Sequence, residues 1–284
     1  MCVPFPNIYT QRLMLGSKTL VPRYIIANLV AGVVTSLRAP RGRANQVAPA
    51  WRRVAAMAVV VAILIAAAMV WIDAPAFRMV VELPAWAKEV FDEVTDLGRG
   101  GWPLIPLGTL LLAASVLSSP RLRQLSRGVL AMAAVRLGFM FSAIGLTGLA
   151  DTILKRIIGR VRPSELGPFA FNPIAWRSDY ASFPSGHAAN VFATLVAIGL
   201  IFPRARPALW IYAVVIAMSR VIVSAHYPSD VLAGAAFGAF GAILVRDWFA
   251  ARRLGFYVSS DGGVRTMPGP SFRRIKKVAR ALFN

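Results

Sequence analysis

An all-helical, polytopic membrane bundle of six transmembrane helices is the fold class that this sequence predicts. Two observations carry the expectation. Of the 284 residues 57% are hydrophobic and the mean hydropathy is +0.61, well above the roughly 45–50% apolar content of soluble domains. Between Val54 and Val245 the chain also holds six apolar stretches, near the ~20 residues needed to cross a bilayer core.

The elements follow in chain order. Residues 1–50 read as a basic, cytosolic N-terminal region. Within it, residues 21–36, "VPRYIIANLVAGVVTS", are apolar but short and contain Arg23. They suit an interfacial helix or a weak signal-like segment, and no convincing cleavage site accompanies them. The single cysteine, Cys2, has no partner within the chain for a disulfide. With no apolar run before it, Cys2 reads as an idle thiol and not as a lipoprotein cleavage site.

Residues 51–250 hold the six spans. The first, Val54–Ile72, contains no charge; the others are about Trp102–Leu117, Leu137–Leu154, Ala188–Phe202, Ala208–Val223 and Pro228–Val245. Gly145 and Gly148 in the third span, and Gly234, Gly238 and Gly241 in the sixth, form small-residue faces that let helix backbones approach closely in lipid. Residues 251–284 form a basic cytosolic tail. It opens with a Gly/Pro/Ser-rich linker, 259–270. It then sets Phe272, Ile275, Ala279 and Leu282 at helical spacing opposite Arg273, Arg274, Lys277 and Arg280. Such a stretch suits an anionic membrane surface, or simply a solvated tail.

Charge sets the orientation. With a cytosolic N-terminus, 23 of the 32 Lys and Arg residues lie on the cytosolic side, as the positive-inside rule requires. The first outer loop, 73–101, carries three basic and six acidic residues: Asp73, Glu82, Glu89, Asp92, Glu93 and Asp96. Both termini are therefore expected in the cytosol. The net charge of +20 does not point to nucleic acid, because the basic residues are spread between apolar runs and no recognition motif appears. Against the rule, Lys155, Arg156, Arg160, Arg162, Arg177 and Arg220 collect at the outer ends of spans three to five.

Three short clusters account for this breach. In "KRIIGRVRP", Lys155 and Arg162 are seven apart, two turns along one helix face, with Pro163 ending the helix. Alone, such a pair could merely snorkel to the headgroups. Pro184, Ser185 and Gly186 make a turn at the start of the fourth span, where unpaired N–H groups and the helix dipole favour an anion. His187 follows at once. A capping serine beside an interfacial histidine is the plainer alternative. In "SRVIVSAHYPSD", Arg220 ends the fifth span and His226 lies in the connection. Pro228 suits the first position of the sixth helix, and Asp230 is placed to accept the imidazole N–H of His226. Asp230 would equally serve as a local cap. Together the clusters put three cations, a helix N-terminus and both histidines of the chain on one membrane face. That set of groups suits phosphoryl chemistry.

The three clusters read K-x6-R-P, P-S-G-H and S-R-x5-H-x3-D, all intact and in order. In this the chain resembles the type 2 phosphatidic acid phosphatase family of integral-membrane lipid phosphatases, over about residues 90–250. The resemblance implies a phosphatidic acid phosphatase/haloperoxidase-like helical core and metal-free hydrolysis with no cofactor. It implies that His226 attacks phosphorus to form a phosphohistidine, with Asp230 orienting it. His187 would protonate the leaving alkoxide and then activate water. Lys155, Arg162, Ser185, Gly186 and Arg220 would bind the phosphoryl oxygens. Vanadium haloperoxidases share the motifs but are soluble, which the six spans argue against.

The expected function is thus hydrolysis of a lipid phosphomonoester or diphosphate at the outer face of an inner membrane, with membrane lipids as surroundings and partners. A lipid phosphotransferase would use the same site. A non-catalytic lipid-binding or transport protein is the alternative of another class. The absence of charge near mid-bilayer speaks against transport, and the intact motifs speak against a dead relative.

Overall fold

The computed structural model describes residues 20–40, 51–119, 122–163 and 167–283. Cys2 and most of the N-terminal region lie outside them. Helices α1 (Leu20–Leu37), α2 (Trp51–Trp71), α3 (Asp73–Val81), α4 (Ala85–Asp96), α5 (Gly101–Leu117), α6 (Gln124–Ile158), α7 (Gly186–Ile201), α8 (Arg206–Ile222) and α9 (Pro228–Ala251) are followed by a hairpin and α10 (Phe272–Phe283). The hairpin pairs β1 (Phe256–Val258) with β2 (Val264–Thr266) in antiparallel register, Phe256 opposite Thr266.

Among the described residues, five segments are long and apolar enough to cross a membrane: Val54–Trp71, Ala85–Leu117, Gln124–Ile158, Pro203–Ile222 and Pro228–Ala251. The fold is that of an α-helical, multi-pass membrane protein, and its outer helices bear this out. On α2, Met57, Ile63 and Trp71 are exposed, a surface that water would not tolerate on this scale and that lipid matches. The expected fourth span differs. Helix α7 has 16 residues and rises only ~24 Å, so length alone does not support a sixth crossing. Instead α7 is the buried centre, with Ala188, Ala189, Val191, Ala193, Leu195 and Ala197 all packed inside.

Close approach to α7 is what the glycines of α9 permit. A Cβ on Gly234 would fall 2.3 Å from the Ser185 carbonyl oxygen, and one on Gly238 2.1 Å from that of Ala189. Gly241 meets Thr147 of α6 in the same way, and Gly148 meets Asn190 of α7. The small-residue faces are thus spent on packing within the chain. The main core lies below, where Phe139 of α6 takes edge contacts from Phe249 and Phe256 at 5.6 and 4.6 Å.

Two expectations are corrected, and a third segment takes one of the two forms expected of it. Residues 73–101 are not an open loop but mainly α3 and α4, and Asp73 is wholly buried. The linker 259–270 is partly the hairpin. Its turn closes through Asp261 Oδ1, which accepts the Gly263 N–H at 3.0 Å, with Gly262 at φ +79°, the Asp-Gly chemistry that favours tight hairpins. Segment 21–36 is helical as α1. Its Asn28 side chain donates to the carbonyls of Ser115 (2.9 Å) and Ser118 (3.1 Å), so α1 docks on the end of α5.

Candidate active site

Three connections at one end of the bundle bring the predicted residues together. The first is the end of α6. Lys155 pairs with Asp151 one turn back, Nζ to Oδ2 at 2.8 Å. The helix does not run on to Pro163 as expected: it stops at Ile158, and Gly159 caps it with φ +64°, its N–H donating to the Lys155 carbonyl. A side chain there would strike the Asn172 carbonyl oxygen, so this left-handed turn calls for glycine. Arg162 therefore lies beyond the helix, held by the Ser178 carbonyl at 3.2 Å.

The second connection enters α7. Ser185 is the N-cap and is fully buried, yet its Oγ has no hydrogen-bond partner. The Ser185 N–H is used by the Asp230 carbonyl at 3.0 Å, so the amides without an intrahelical partner at this end are those of the first helical turn. A Cβ on Gly186 would sit 2.7 Å from Lys155 Nζ, which places the lysine directly over the turn. Half-buried His187 follows, its imidazole pushed down to about 3 first by burial and then by the charges of Arg220, His226 and Lys155. Gly98, between α4 and α5, packs against the His187 ring.

The third connection joins α8 to α9. The amides of Ala225 and His226 both donate to the Arg220 carbonyl at 3.1 Å, which folds the chain back so that His226 lies over the end of α8. The Arg220 guanidinium donates from Nη1 to Thr95 of α4 at 2.8 Å, while its Nε is buried without a partner. His226 Nδ1 lies 2.7 Å from the Ser182 carbonyl oxygen and 3.7 Å from Asp230 Oδ2. A carbonyl only accepts, so Nδ1 carries the proton and Nε2 keeps its lone pair. The expected direct bond to Asp230 is thus replaced by a relay. Asp230 Oδ2 accepts from Ser182 Oγ at 2.6 Å and from the Tyr227 amide at 2.9 Å, fixing the segment whose carbonyl orients the ring. Burial pushes the imidazole down to about 4, and the Arg220 and Arg162 charges act the same way; Asp230 opposes them. The ring is a neutral base at neutral pH.

Sequence reasoning missed several partners. Arg160 is fully buried, with Nη1 2.5 Å from Asp230 Oδ1 and Nη2 2.7 Å from Asp73 Oδ2. Ser182, Ser229 and Thr95 complete the surroundings. The i,i+4 spacing of Asp151 and Lys155, and the place of Arg160 between two motif residues, were signals that could have been read. For Asp73 and Thr95, far off in the chain, there was none.

The PAP2 superfamily model matches residues 136–254. A Lipid A 1-phosphatase of Rhizobium etli is 36% identical over 202 residues, 70% of this chain and 86% of the relative. The chain belongs to the PAP2 superfamily. A Lipid A 1-phosphatase of Rhizobium johnstonii is 38% identical over 183 residues, 63% of this chain and 75% of that one. The crystal structure of Aquifex aeolicus LpxE aligns at 23% identity over 61% of this chain and 93% of its own, with a TM-score of 0.45. As a PAP2 protein the chain is a phosphoric ester hydrolase, and its three motif clusters all lie within the matched residues.

Proposed function

We propose that this PAP2 protein hydrolyses a lipid phosphomonoester at the outer face of the inner membrane through a phosphohistidine. The observation that carries the reading is His226. Its Nδ1 is committed to the Ser182 carbonyl, which leaves Nε2 as a lone-pair nitrogen amid the charges of Arg220 and Arg162. Nε2 attacks phosphorus as the bond to the lipid oxygen breaks; His187, which takes up a proton as the phosphate anion enters and offsets the charges of Arg220 and Lys155, gives that oxygen the proton. His187 then takes a proton from water as the water attacks phosphorus. The P–N bond breaks, and inorganic phosphate leaves.

Lys155, Arg162 and Arg220, the Gly186 turn and the Ser185 hydroxyl take the equatorial oxygens, where charge spreads in the transition state. The partnerless Ser185 Oγ and Arg220 Nε support this, since buried polar groups ordinarily find a partner. No metal is needed in this scheme. The charge distribution supports the outer-face location, with both termini in the cytosol.

The names of the Rhizobium relatives make the 1-phosphate of lipid A the first substrate to test. The purified protein should be offered lipid A, phosphatidic acid, phosphatidylglycerol phosphate and undecaprenyl diphosphate. Phosphate release from lipid A, with the 1-phosphate lost, is expected. Release no faster than from His226→Ala on all four lipids would overturn the reading.

A further inference from the structure

The oxygens of two carboxylates converge on Arg160. Asp73, the first residue of α3, accepts Arg160 Nη2 at 2.7 Å and Ser229 Oγ at 2.5 Å on Oδ2, and the Ser229 amide at 3.0 Å on Oδ1. Arg160 Nη1 donates to Asp230 Oδ1 and, at 2.7 Å, to Ser229 Oγ. Its remaining N–H groups go to the Pro168 carbonyl, and its guanidinium lies 4.5 Å over the Tyr227 ring. Asp73, Arg160, Ser229 and Asp230 are all at 0% exposure. Arg160 is therefore held on every side and has no freedom to swing from one carboxylate to the other.

One cation faces two anions in this cluster. Burying an unmatched charge is costly, so the arrangement asks for a positive charge nearby. His226 supplies one when its ring takes the phosphoryl group. The charged and titratable groups facing it are Asp230 from α9, Arg220 from α8, Arg162 beyond α6 and His187 from α7. Asp230 alone among these is negative. Were Arg160 matched with Asp230 one to one, the pair would be neutral toward the ring.

We infer that Asp73 is a charge-balancing residue: it occupies Arg160 so that the charge of Asp230 stays available to His226. Asp73 touches no reacting atom and acts through Arg160 and Asp230, and it lies outside the residues 136–254 that carry the family match. The inference rests on the phosphohistidine reading. It differs from a plain buried staple between α3 and α9 in what a second substitution should do. Asp73→Asn keeps the shape but leaves Arg160 to neutralise Asp230. Adding Arg160→Gln removes the surplus cation and returns the charge of Asp230 to the ring. A staple would be weakened further.

The test is rapid-quench trapping of acid-labile phosphate from p-nitrophenyl phosphate on the purified full chain, with steady-state kcat and KM. Asp73→Asn should slow phosphoenzyme formation roughly ten- to a hundredfold, the effect of one charge at this range in a partly polarisable interior, with KM little changed. Asp73→Asn/Arg160→Gln should form it several-fold faster than Asp73→Asn. An Asp73→Asn rate within about twofold of the parent overturns the inference. So does a double variant no faster than Asp73→Asn, whether from inactivity or from failure to fold. Absence of trapped phosphate in the parent protein would overturn the phosphohistidine reading and this inference with it.

Discussion

The Nδ1 of His226 faces the Ser182 carbonyl oxygen at 2.7 Å, and Asp230 reaches Ser182 from the other side through its hydroxyl at 2.6 Å. The carboxylate thus governs the imidazole at one remove. It fixes the segment that fixes the ring, and it adds a negative charge 3.7 Å from Nδ1, beyond hydrogen-bond distance. Tautomer and basicity are set by two different groups.

This arrangement has a direct spectroscopic consequence. The chain has two histidines, so His187→Ala with ring-¹⁵N histidine reports on His226 alone. Nδ1 should carry the proton and Nε2 should not. Burial pushes the ring down to about 4, so the neutral tautomer should persist from pH 8 to pH 5. The unfolded chain would take up the proton near 6.5. Because the folded value is the lower one, His226 destabilises the fold as pH falls from about 6.5 towards 4, and contributes nothing above that window. A titration midpoint near 6.5, or a protonated Nε2, would contradict the geometry.

Turnover should survive EDTA. The positive charge proposed to face the phosphoryl oxygens comes from Lys155, Arg162 and Arg220, and a chelator removes none of it. Activity lost in chelator and regained with Mg²⁺ would refute that assignment.

Gly234→Ala should cost both stability and rate. Its Cβ would meet the Ser185 carbonyl oxygen at 2.3 Å, forcing α7 from α9 just where the N-cap of α7 is set. Overpacking of this kind costs about 1–3 kcal/mol, and the shift falls on Ser185 itself. Gly128→Ala, inside α6 with nothing within 4 Å of the added carbon, is the control and should leave kcat unchanged and Tm unchanged or raised, since alanine favours the helix. Equal effects from the two substitutions would show that the close approach is unimportant.

These cases mark where the sequence was legible. Apolar length revealed the membrane helices, and motif spacing revealed the residues that α6, α7, α8 and α9 and their connections deliver to one end of the bundle. The glycines of α9 were readable too, because close packing in lipid selects small residues. Spacing failed at Arg162: the seven-residue interval suits a helix, but Gly159 in the left-handed region breaks it four residues before Pro163. Composition failed at the hairpin, where β1 and β2 are only three residues each, too short for an alternating pattern to stand out. Asp73 counted as one more acid in an acidic segment, because its partners Arg160 and Ser229 lie 87 and 156 positions away.

The outer-face reading is open to labelling. Ser178 is exposed in the segment that holds Arg162. With Cys2 replaced, Ser178→Cys should react with a membrane-impermeant thiol reagent in bacterial spheroplasts. Reaction only after the membrane is broken would reverse the orientation and move the site to the cytosol.

The two histidines should separate by the step at which each variant stalls. His226 has its lone pair on Nε2 and a carboxylate behind Ser182, the setting of a nucleophile. His187 stands in the first turn of α7 beside Lys155 and Gly186, a position suited to a proton donor at the leaving oxygen. His226→Ala should therefore abolish turnover and give no covalent phosphoenzyme. His187→Ala should lose roughly 10²–10⁴-fold in turnover, the usual worth of a positioned proton transfer. With p-nitrophenyl phosphate the leaving group needs little protonation, so His187→Ala should still phosphorylate His226. The intermediate should then accumulate, because water is no longer activated. Acid-labile phosphate trapped after rapid denaturation measures this directly. Label present in His226→Ala and absent in His187→Ala would exchange the two roles.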